Sequence, residues 1–267
     1  MKYVVRKFGI AAECLGNIPQ KVELIKSAGF EAIFTGSYTR KEVEKYKKYS
    51  DGCNLDYSFI HAPFGNINSM WLEGEEYLAI YNEMKESVIS AGTFGVPVVC
   101  IHVSSGWTPP KINEVGVGRF EELFELGYKN NVVIAIENQR LPSYLAFFMD
   151  RYKNNPTVKF CYDCGHEHCF TEGVEFAKLY GDRIACTHVH DNMGVSLDAG
   201  AFTDTHLLPF DGNLDFKKMK DGLDACGYKG GLTLEVSKKN KYFNYENLTD
   251  EEYLKKAYDS LKRISLL

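Results

Sequence analysis

The sequence predicts an α/β fold in which eight parallel strands, each followed by a helix, close into a (β/α)8 TIM barrel. Apolar runs of strand length alternate with amphipathic stretches of helix length eight times in 267 residues. Two of these runs, at residues 98–103 and 132–137, are largely apolar on both faces, as in parallel sheets covered by helices. No linker or shift in composition divides the chain, so we expect residues 1–267 to form a single domain.

The first four strand–helix units are marked by apolar runs and by residues that end helices. We predict strands at residues 4–10, 31–34, 57–61 and 98–103, and helices at residues 19–28, 39–49, 73–94 and 113–128. Gly29 ends the first helix, because glycine readily takes the left-handed conformation that closes many helices. The third helix carries Tyr77, Ile80 and Met84 at helical spacing.

The remaining four units follow the same alternation. We predict strands at residues 132–137, 158–163, 184–190 and 231–236, and helices at residues 142–152, 171–180 and 216–226. The last helix opens with Thr249 and Glu252, which form a capping box. No G-x-G-x-x-G turn follows the first strand, which argues against a dinucleotide-binding fold.

Composition and charge narrow the class of protein. The net charge of −5 and the pI near 5.9 do not favour a nucleic-acid binder, which normally presents a basic surface. No apolar run could span a membrane and no signal peptide opens the chain, so we expect a cytoplasmic protein. The eight cysteines form no disulfide framework and are expected to be reduced, with Cys100, Cys161 and Cys186 in the core.

The histidines share one location: all seven fall at the carboxyl end of a predicted strand or in the loop just beyond it, and none on a predicted helix. They are His61, His102, His166, His168, His188, His190 and His206. Glu137, Asp163 and Glu235 each end an otherwise apolar strand, and Asp204 lies two residues before His206. Active sites of such barrels lie at this end, and clustered imidazoles and carboxylates there predict a divalent-metal site.

Local patterns leave several roles open. Asp163 and His166 either hold a metal, or serve as a helix cap and a solvated turn residue. His188 and His190 are two apart on a strand and face the same side, so His190 is either a ligand or a residue that orients one. The Cys161–Cys164 pair has no second pair at zinc-ribbon spacing, which favours packing, with ligation by one thiol as the alternative.

Seven short motifs, in this order, resemble the xylose-isomerase-like barrel superfamily. They are His61-Ala-Pro63, Cys100-Ile-His102, Ile136-Glu137-Asn138, Asp163-Cys-Gly-His166, His188-Val-His-Asp-Asn192, Asp204-Thr-His206 and Leu234-Glu235. The superfamily includes sugar isomerases and epimerases, inosose dehydratase-like enzymes and the endonuclease IV group of apurinic endonucleases. The resemblance runs from strand three to strand eight and covers most of the chain.

The resemblance implies sets of metal ligands. Those implied for a principal divalent ion (manganese, zinc or cobalt) are Glu137, Asp163, His188 and Glu235. Those implied for a second zinc in the endonuclease branch are His61, His102 and Glu137, and for a third His166, Asp204 and His206. The negative charge argues against that branch, as does the lack of a basic run after strands one and two. Residues 207–212 also depart from the glycine-rich loop of both branches.

We therefore predict a metal-dependent isomerase or epimerase of a sugar or a related polyol-ketone. Glu137 and Glu235 would move a proton on and off the carbon beside the carbonyl, through a metal-stabilised enediolate. His166 and His190 would orient substrate hydroxyls. The side chains expected to form an apolar wall against the sugar are Phe64, Trp71 and Trp107. Ordinary loop packing is the alternative for each of these aromatic residues.

Three other functions stay open. An inosose dehydratase-like lyase would use the same enolate with loss of water. A zinc-dependent phosphodiesterase or apurinic endonuclease would use two or three ions. A sensor would bind metal or sugar without turnover, although the paired Glu137 and Glu235 argue against it. The expected partner is a small-molecule sugar, with neither a membrane nor a nucleic acid, and a homo-oligomer is left open.

Overall fold

The computed structural model describes residues 5–171, 173–195 and 204–267, and its sheet confirms the predicted barrel. The strands are β1 Phe8–Ala11, β2 Ala32–Thr35, β3 Asp56–His61, β4 Val98–Ile101, β5 Val133–Glu137, β6 Val158–Asp163, β7 Ile184–His188 and β8 Leu232–Leu234. They follow one another in the order β7-β6-β5-β4-β3-β2-β1-β8, and all neighbouring pairs are parallel. All carboxyl ends therefore lie at one rim.

The barrel closes between β7 and β8 through a single bridge. Val189, just past β7, pairs with Leu234, and its N–H donates to the Thr233 carbonyl at 2.8 Å. The N–H of Glu235 returns a hydrogen bond to the Val189 carbonyl at 3.1 Å. This seam brings the end of β7, with His188, beside the residue that follows β8.

Nine α-helices are assigned in the described part of the chain, and they surround the sheet. They are α1 Val22–Ser27, α2 Arg40–Gly52, α3 Leu78–Phe94, α4 Glu114–Lys129, α5 Pro142–Arg151, α6 Cys164–Phe170, α7 Phe176–Tyr180, α8 Phe216–Ala225 and α9 Asp250–Ser265. The predicted capping box of Thr249 and Glu252 begins α9, and each side chain bonds the other's backbone N–H. Every helix among the described residues is too short or too polar to cross a membrane.

Several predicted boundaries are wrong. The first strand begins at Phe8, and residue 4 of its predicted range lies outside the described residues. The helix predicted at 19–28 is a 3-10 turn, Pro19–Lys21, followed by α1. The helix predicted at 73–94 begins only at Leu78, because Gly74 has a φ of +92° that no right-handed helix accommodates.

The helix predicted at 171–180 is replaced by two shorter ones. α6 begins directly after β6 because the Asp163 carboxylate caps it, with Oδ1 accepting the His166 N–H at 2.6 Å. Gly173, with a φ of +86°, separates α6 from α7, and residue 172 lies outside the described residues. His166 and His168 therefore lie on a helix, contrary to the expectation that no histidine does.

The core has one layer between strands and helices and another inside the barrel. The inner layer consists of Phe34, Phe59, Val98, Cys100, Ala135, Cys161 and Cys186. Its three cysteines confirm the predicted core packing, and each of the chain's eight cysteines is a thiol. The His188 ring lies 5.2 Å from the Phe34 ring and 5.5 Å from the Phe59 ring. The inner layer is therefore the floor beneath the side chains at the rim.

Candidate metal centre

Glu137 ends β5 and is the buried centre of the rim. Its Oε2 lies 3.1 Å from Nε2 of His61, at the end of β3, and 2.9 Å from Nε2 of His102, just after β4. Its Oε1 lies 3.0 Å from Nδ1 of His166 and 3.2 Å from Nδ1 of His188. Imidazoles from four different strand ends thus surround one carboxylate, and five of the residues predicted to cluster do so.

Three carboxylates and one imidazole form what we call the principal group: Glu137, Asp163, His188 and Glu235. Each offers one oxygen or nitrogen, and these atoms all lie within 4.8 Å of one another. Oε1 of Glu137 and Oδ2 of Asp163 are buried, and the imidazole nitrogens 3.0 to 3.7 Å away make no hydrogen bond of good geometry to them. Such oxygens are costly unless they bind a cation, so this donor set fits a divalent metal.

A second set of donors, which we call the outer group, consists of His166, His190, Asp204 and His206, whose ligand atoms also lie within 4.8 Å of one another. Oδ2 of Asp204 lies 3.4 Å from Nε2 of His166, and Oδ1 lies 3.2 Å from Nε2 of His206. Nε2 of His190 stands 3.2 Å from Oδ1 of Asp163. His190 therefore contacts both groups, and its two predicted roles, ligand and orienting residue, both stay open.

The electrostatics are those of a carboxylate-rich cavity. Burial alone would raise the pKa of Glu137, but the charge of His188 lowers it well below its usual range. Burial alone would lower the pKa of His188, but the charges of Glu235 and Glu137 raise it to about 10. Burial alone would also lower the pKa of His206, but its hydrogen bond to Asp204 raises that pKa to about 9. Such an excess of carboxylate charge attracts cations, either protons on the imidazoles or a metal.

His190 holds its position because Gly165 leaves room for it. A Cβ atom on Gly165 would lie 2.0 Å from Cε1 of His190, closer than any real contact. The His190 ring stacks on that of His206, with centroids 3.9 Å apart and planes 10° from parallel. Any side chain at position 165 would therefore displace an imidazole of the outer group.

Asp191, which sequence reasoning missed, organises the loop that carries Asp204 and His206. Its buried carboxylate accepts backbone N–H groups at 2.8 to 3.0 Å, from Asn192, Phe210, Gly212 and Leu214. Its own N–H donates to the Leu207 carbonyl at 2.8 Å. The only signal was its place next to His190 in a rim motif, which does not distinguish a loop anchor from a ligand.

Two amides beside Glu137 were also missed as orienting residues. The Nδ2 of Asn138 donates to the Asp163 carbonyl at 2.8 Å, and its Oδ1 accepts the Asp163 N–H at 2.8 Å. Nε2 of Gln139 lies 3.1 Å from Nε2 of His102 and 3.3 Å from Nδ1 of His166. These amides fix Asp163 and two histidines, as residues that surround metal ligands commonly do.

The three aromatic residues predicted to form an apolar wall differ in their exposure. Phe64 is 46% exposed and stacks on His102 with ring centroids 4.1 Å apart. Trp107 is 60% exposed and meets Phe170 edge-on at 5.9 Å. The prediction that Trp71 belongs to this wall is wrong, because Trp71 is 1% exposed and its Nε1 donates to the Val103 carbonyl at 2.7 Å. Its ring packs in the layer outside the strands, so it faces no cavity of the rim.

The remaining histidine and the cysteine pair have other contacts. Nε2 of His168 lies 2.7 Å from Oδ1 of Asn213, outside both groups. Sγ of Cys164 donates to the His190 carbonyl at 3.8 Å, in agreement with a packing role. Sγ of Cys161 lies in the inner layer, 3.8 Å from Nδ1 of His188.

These features define a class of protein: a (β/α)8 barrel whose rim gathers imidazole and carboxylate donors. The chain belongs to the xylose isomerase-like TIM barrel family, whose sequence model matches residues 22–264. The resemblance found in the motifs is therefore confirmed, and with it the class of fold.

Individual relatives are distant. The uncharacterized protein y4fM of Sinorhizobium fredii is 30% identical over 167 residues, which cover 57% of this chain and 51%, about half, of that protein. The IolI protein, solved with a zinc atom, has a TM-score of 0.75 at 20% identity, covering 97% of this chain and 98% of that one. The D-psicose 3-epimerase of Clostridium cellulolyticum H10, solved with D-tagatose, has a TM-score of 0.76 at 13% identity over 97% and 98%. At these identities the solved structures show a shared fold.

Proposed function

We propose that this protein is a divalent-metal-dependent isomerase or epimerase of a sugar or a related polyol-ketone. The observation that carries the proposal is the convergence of Glu137 and Glu235 on the principal group. Glu137 ends β5 and Glu235 follows β8, so the carboxylates approach from separate parts of the rim. Nδ1 of His188 stands 3.2 Å from Oε1 of Glu137 and 3.5 Å from Oε2 of Glu235.

Paired carboxylates suit proton transfer beside a carbonyl. A divalent ion in the principal group would polarise that carbonyl and make the neighbouring C–H more acidic. Glu137 or Glu235 takes the proton from one face of the substrate, and the other carboxylate returns a proton to the opposite face or to the adjacent carbon. The first outcome inverts a centre, and the second interconverts ketose and aldose.

The rest of the rim suits a polar ring-forming substrate. His166 and His190 carry ring nitrogens toward the outer group, where hydroxyls of a bound sugar would find partners. Phe64 stacks on His102 and Trp107 meets Phe170, and the faces of such exposed aromatic side chains pack well against sugar carbons. The solved epimerase with D-tagatose makes ketohexoses the first substrates to screen.

Exchange of hydrogen with solvent tests the proposal. Protein loaded with Mn²⁺, Co²⁺ or Zn²⁺ is incubated in D₂O with D-fructose, D-tagatose or D-psicose. Proton NMR follows the signal of the hydrogen on the carbon next to the carbonyl. We expect metal-dependent loss of that signal, abolished by a chelator and restored by added metal. Unchanged exchange after verified metal removal would refute the metal mechanism.

A metal-dependent phosphodiesterase is the second candidate, because the rim holds more donors than one ion uses. His61 and His102 both contact Oε2 of Glu137, whereas His188 contacts Oε1, and the outer group adds a further donor set. Clusters of two or three zinc ions stabilise the attacking and leaving oxygens of a phosphodiester. The net charge of −5 gives no support to a DNA substrate.

Metal content separates the two candidates. Elemental mass spectrometry of protein purified without added metal gives the number of ions per chain. About one ion per chain favours the isomerase or epimerase, and two to three zinc ions favour the phosphodiesterase. Cleavage of bis(p-nitrophenyl) phosphate and of a duplex with an abasic site would then decide whether the additional ions serve hydrolysis.

A further inference from the structure

A third donor set extends below the rim into the inner layer of the barrel. One ligand atom each from His61, Cys100, Glu137 and His188 lie within 4.8 Å of one another. We call these residues the inner group. All four side chains are buried, and Cys100 belongs to the floor of the rim rather than to a strand end. The inner group shares Glu137 and His188 with the principal group and differs from it by one imidazole and one thiol.

Two separations within the inner group are close to those of a tetrahedral zinc site. Sγ of Cys100 donates to Oε2 of Glu137 at 3.5 Å, and Nε2 of His61 lies 3.1 Å from the same oxygen. Zinc bonds of about 2.3 Å to sulfur and 2.0–2.1 Å to nitrogen or oxygen place neighbouring donors roughly 3.3–3.6 Å apart. Little movement is therefore needed for these donors to enclose an ion.

We propose that His61, Cys100, Glu137 and His188 form a thiolate-containing metal position that takes a thiophilic divalent cation such as Zn²⁺. Two imidazoles, a thiolate and a carboxylate are a donor set that zinc accepts readily. The principal group offers three carboxylates and one imidazole, which suits a harder cation such as Mn²⁺. The two positions therefore sort cations by softness, with Cys100 as the selecting ligand.

Binding at this position replaces a proton. The cation takes the sulfur lone pair of Cys100, and the thiol proton leaves to solvent, so charge and atoms balance without a redox step. A coordinated cation deprotonates a thiol outright, so metal binding itself supplies the thiolate.

Two neighbouring cysteines supply matched controls. Cys161 and Cys186 lie in the same inner layer as Cys100 and are equally enclosed. Sγ of Cys161 is 3.8 Å from Nδ1 of His188, so it is a rival ligand, although neither Cys161 nor Cys186 belongs to any of the three donor groups. Replacing each by serine changes the same kind of buried thiol without removing the proposed ligand.

X-ray absorption at the metal edge tests the proposal and does not depend on turnover. Wild-type protein with one equivalent of Zn²⁺ should show a sulfur scatterer at about 2.3 Å from zinc. We expect Cys161→Ser and Cys186→Ser to keep that scatterer and Cys100→Ser to lose it. Protein with one equivalent of Mn²⁺ should show only nitrogen and oxygen around the metal.

Each contrary result overturns the proposal. If wild-type protein shows no sulfur scatterer, a thiolate position is excluded. If Cys161→Ser loses the scatterer, the sulfur ligand is Cys161 and the assignment to Cys100 is wrong. Sulfur bound to Mn²⁺ would refute the sorting of cations. If Cys100→Ser fails to fold, the wild-type spectrum and the two control variants still decide the assignment.

Discussion

The side chain of Asp163 caps α6 through His166 and faces the candidate metal centre at the same time. Its Oδ1 accepts the His166 N–H at 2.6 Å, and its Oδ2 stands 3.6 Å from Nδ1 of His188. The two interpretations of this residue, helix cap and ligand, are therefore compatible, because each uses a different oxygen. One side chain ties the start of a helix to the position of a candidate ligand.

Two substitutions of Asp163 separate these contributions. Asp163→Asn keeps an oxygen that caps α6 but loses the charge, whereas Asp163→Ala loses both. With chelator present, we expect the free energy of unfolding of the alanine variant to be about 1 kcal/mol lower than that of the asparagine variant. Urea unfolding measures this, and calorimetric titration should show weakened metal binding in both. Equal stability of the two variants would contradict the capping role.

Glu235→Gln should abolish proton transfer while leaving the fold intact. If Glu235 is one of the two proton-transferring carboxylates, its loss should slow deuterium exchange into the substrate about 10²- to 10⁴-fold. Circular dichroism and the thermal midpoint check the fold, and metal content is measured because Glu235 also belongs to the principal group. Full exchange activity in a metal-loaded variant would refute the acid–base assignment.

The stability of chelator-treated protein should fall as the pH rises. The folded pKa of His188 is about 10 against an ordinary value of 6.5, so its stabilising contribution is complete below pH 6.5 and is lost as the pH rises to 10. A metal on the same nitrogen replaces the proton. As the pH rises from 7 to 9, the urea midpoint should therefore decline in the presence of chelator and stay nearly constant in the presence of saturating metal. Parallel slopes in the two series would count against this account.

Glu167→Gln should stabilise the protein above neutral pH. Burial raises the pKa of Glu167 to about 7, although the Phe176 N–H and the Tyr162 hydroxyl bond its carboxylate at 3.0 and 3.2 Å. Stability therefore falls as the pH rises from about 4.5 to 7, because the folded state holds the proton more tightly. We expect a gain of about 1–3 kcal/mol at pH 8 and little at pH 4. A gain independent of pH would point to packing instead.

Truncation of the two tryptophans should affect the free energy of unfolding to very different extents. Trp71→Ala removes a buried ring and a hydrogen bond to Val103, and we expect it to cost about 3–5 kcal/mol of unfolding free energy. Trp107→Ala, at an exposed ring, should change stability by less than about 0.5 kcal/mol. Only Trp107→Ala should weaken substrate binding without loss of fold. A stability loss of similar size in both variants would refute this division.

The barrel and its rim could be predicted because both follow from regular patterns. Strand-length apolar runs repeat, and all parallel strands end at one rim, so residues such as Glu137, Asp163 and Glu235 could be grouped without coordinates. Which oxygen meets which imidazole could not be predicted, since side-chain direction in loops does not follow a period. Asp204 and His206 reach the rim on a segment held by contacts distant in sequence: Asp191 binds the N–H groups of Phe210 and Gly212, and Nδ1 of His206 lies 2.8 Å from the Glu235 carbonyl oxygen.

The errors arose where contacts distant in sequence override local pattern. Trp71 lies soon after β3, yet the 3-10 turn Ile67–Trp71 carries it outward against α4. A Cβ on Gly116 of α4 would lie 2.0 Å from the Trp71 ring. The ring therefore fits there only because position 116, 45 residues further along the chain, is a glycine. The start of α6 was missed for a local reason: Cys164 and Gly165 resemble a turn, and the sequence leaves open whether Asp163 caps a helix or binds a metal.

Gly165 has a consequence for engineering this protein. Alanine usually stabilises the helix interior relative to glycine by roughly 0.5–1 kcal/mol, so a designer seeking heat resistance would choose this α6 position early. The methyl group would occupy the space of the His190 ring. The substitution that local rules recommend would then yield a chain with a better helix and a displaced imidazole. Overpacking of a buried site typically costs about 1–3 kcal/mol, which is more than the helix gains, so libraries should keep position 165 fixed.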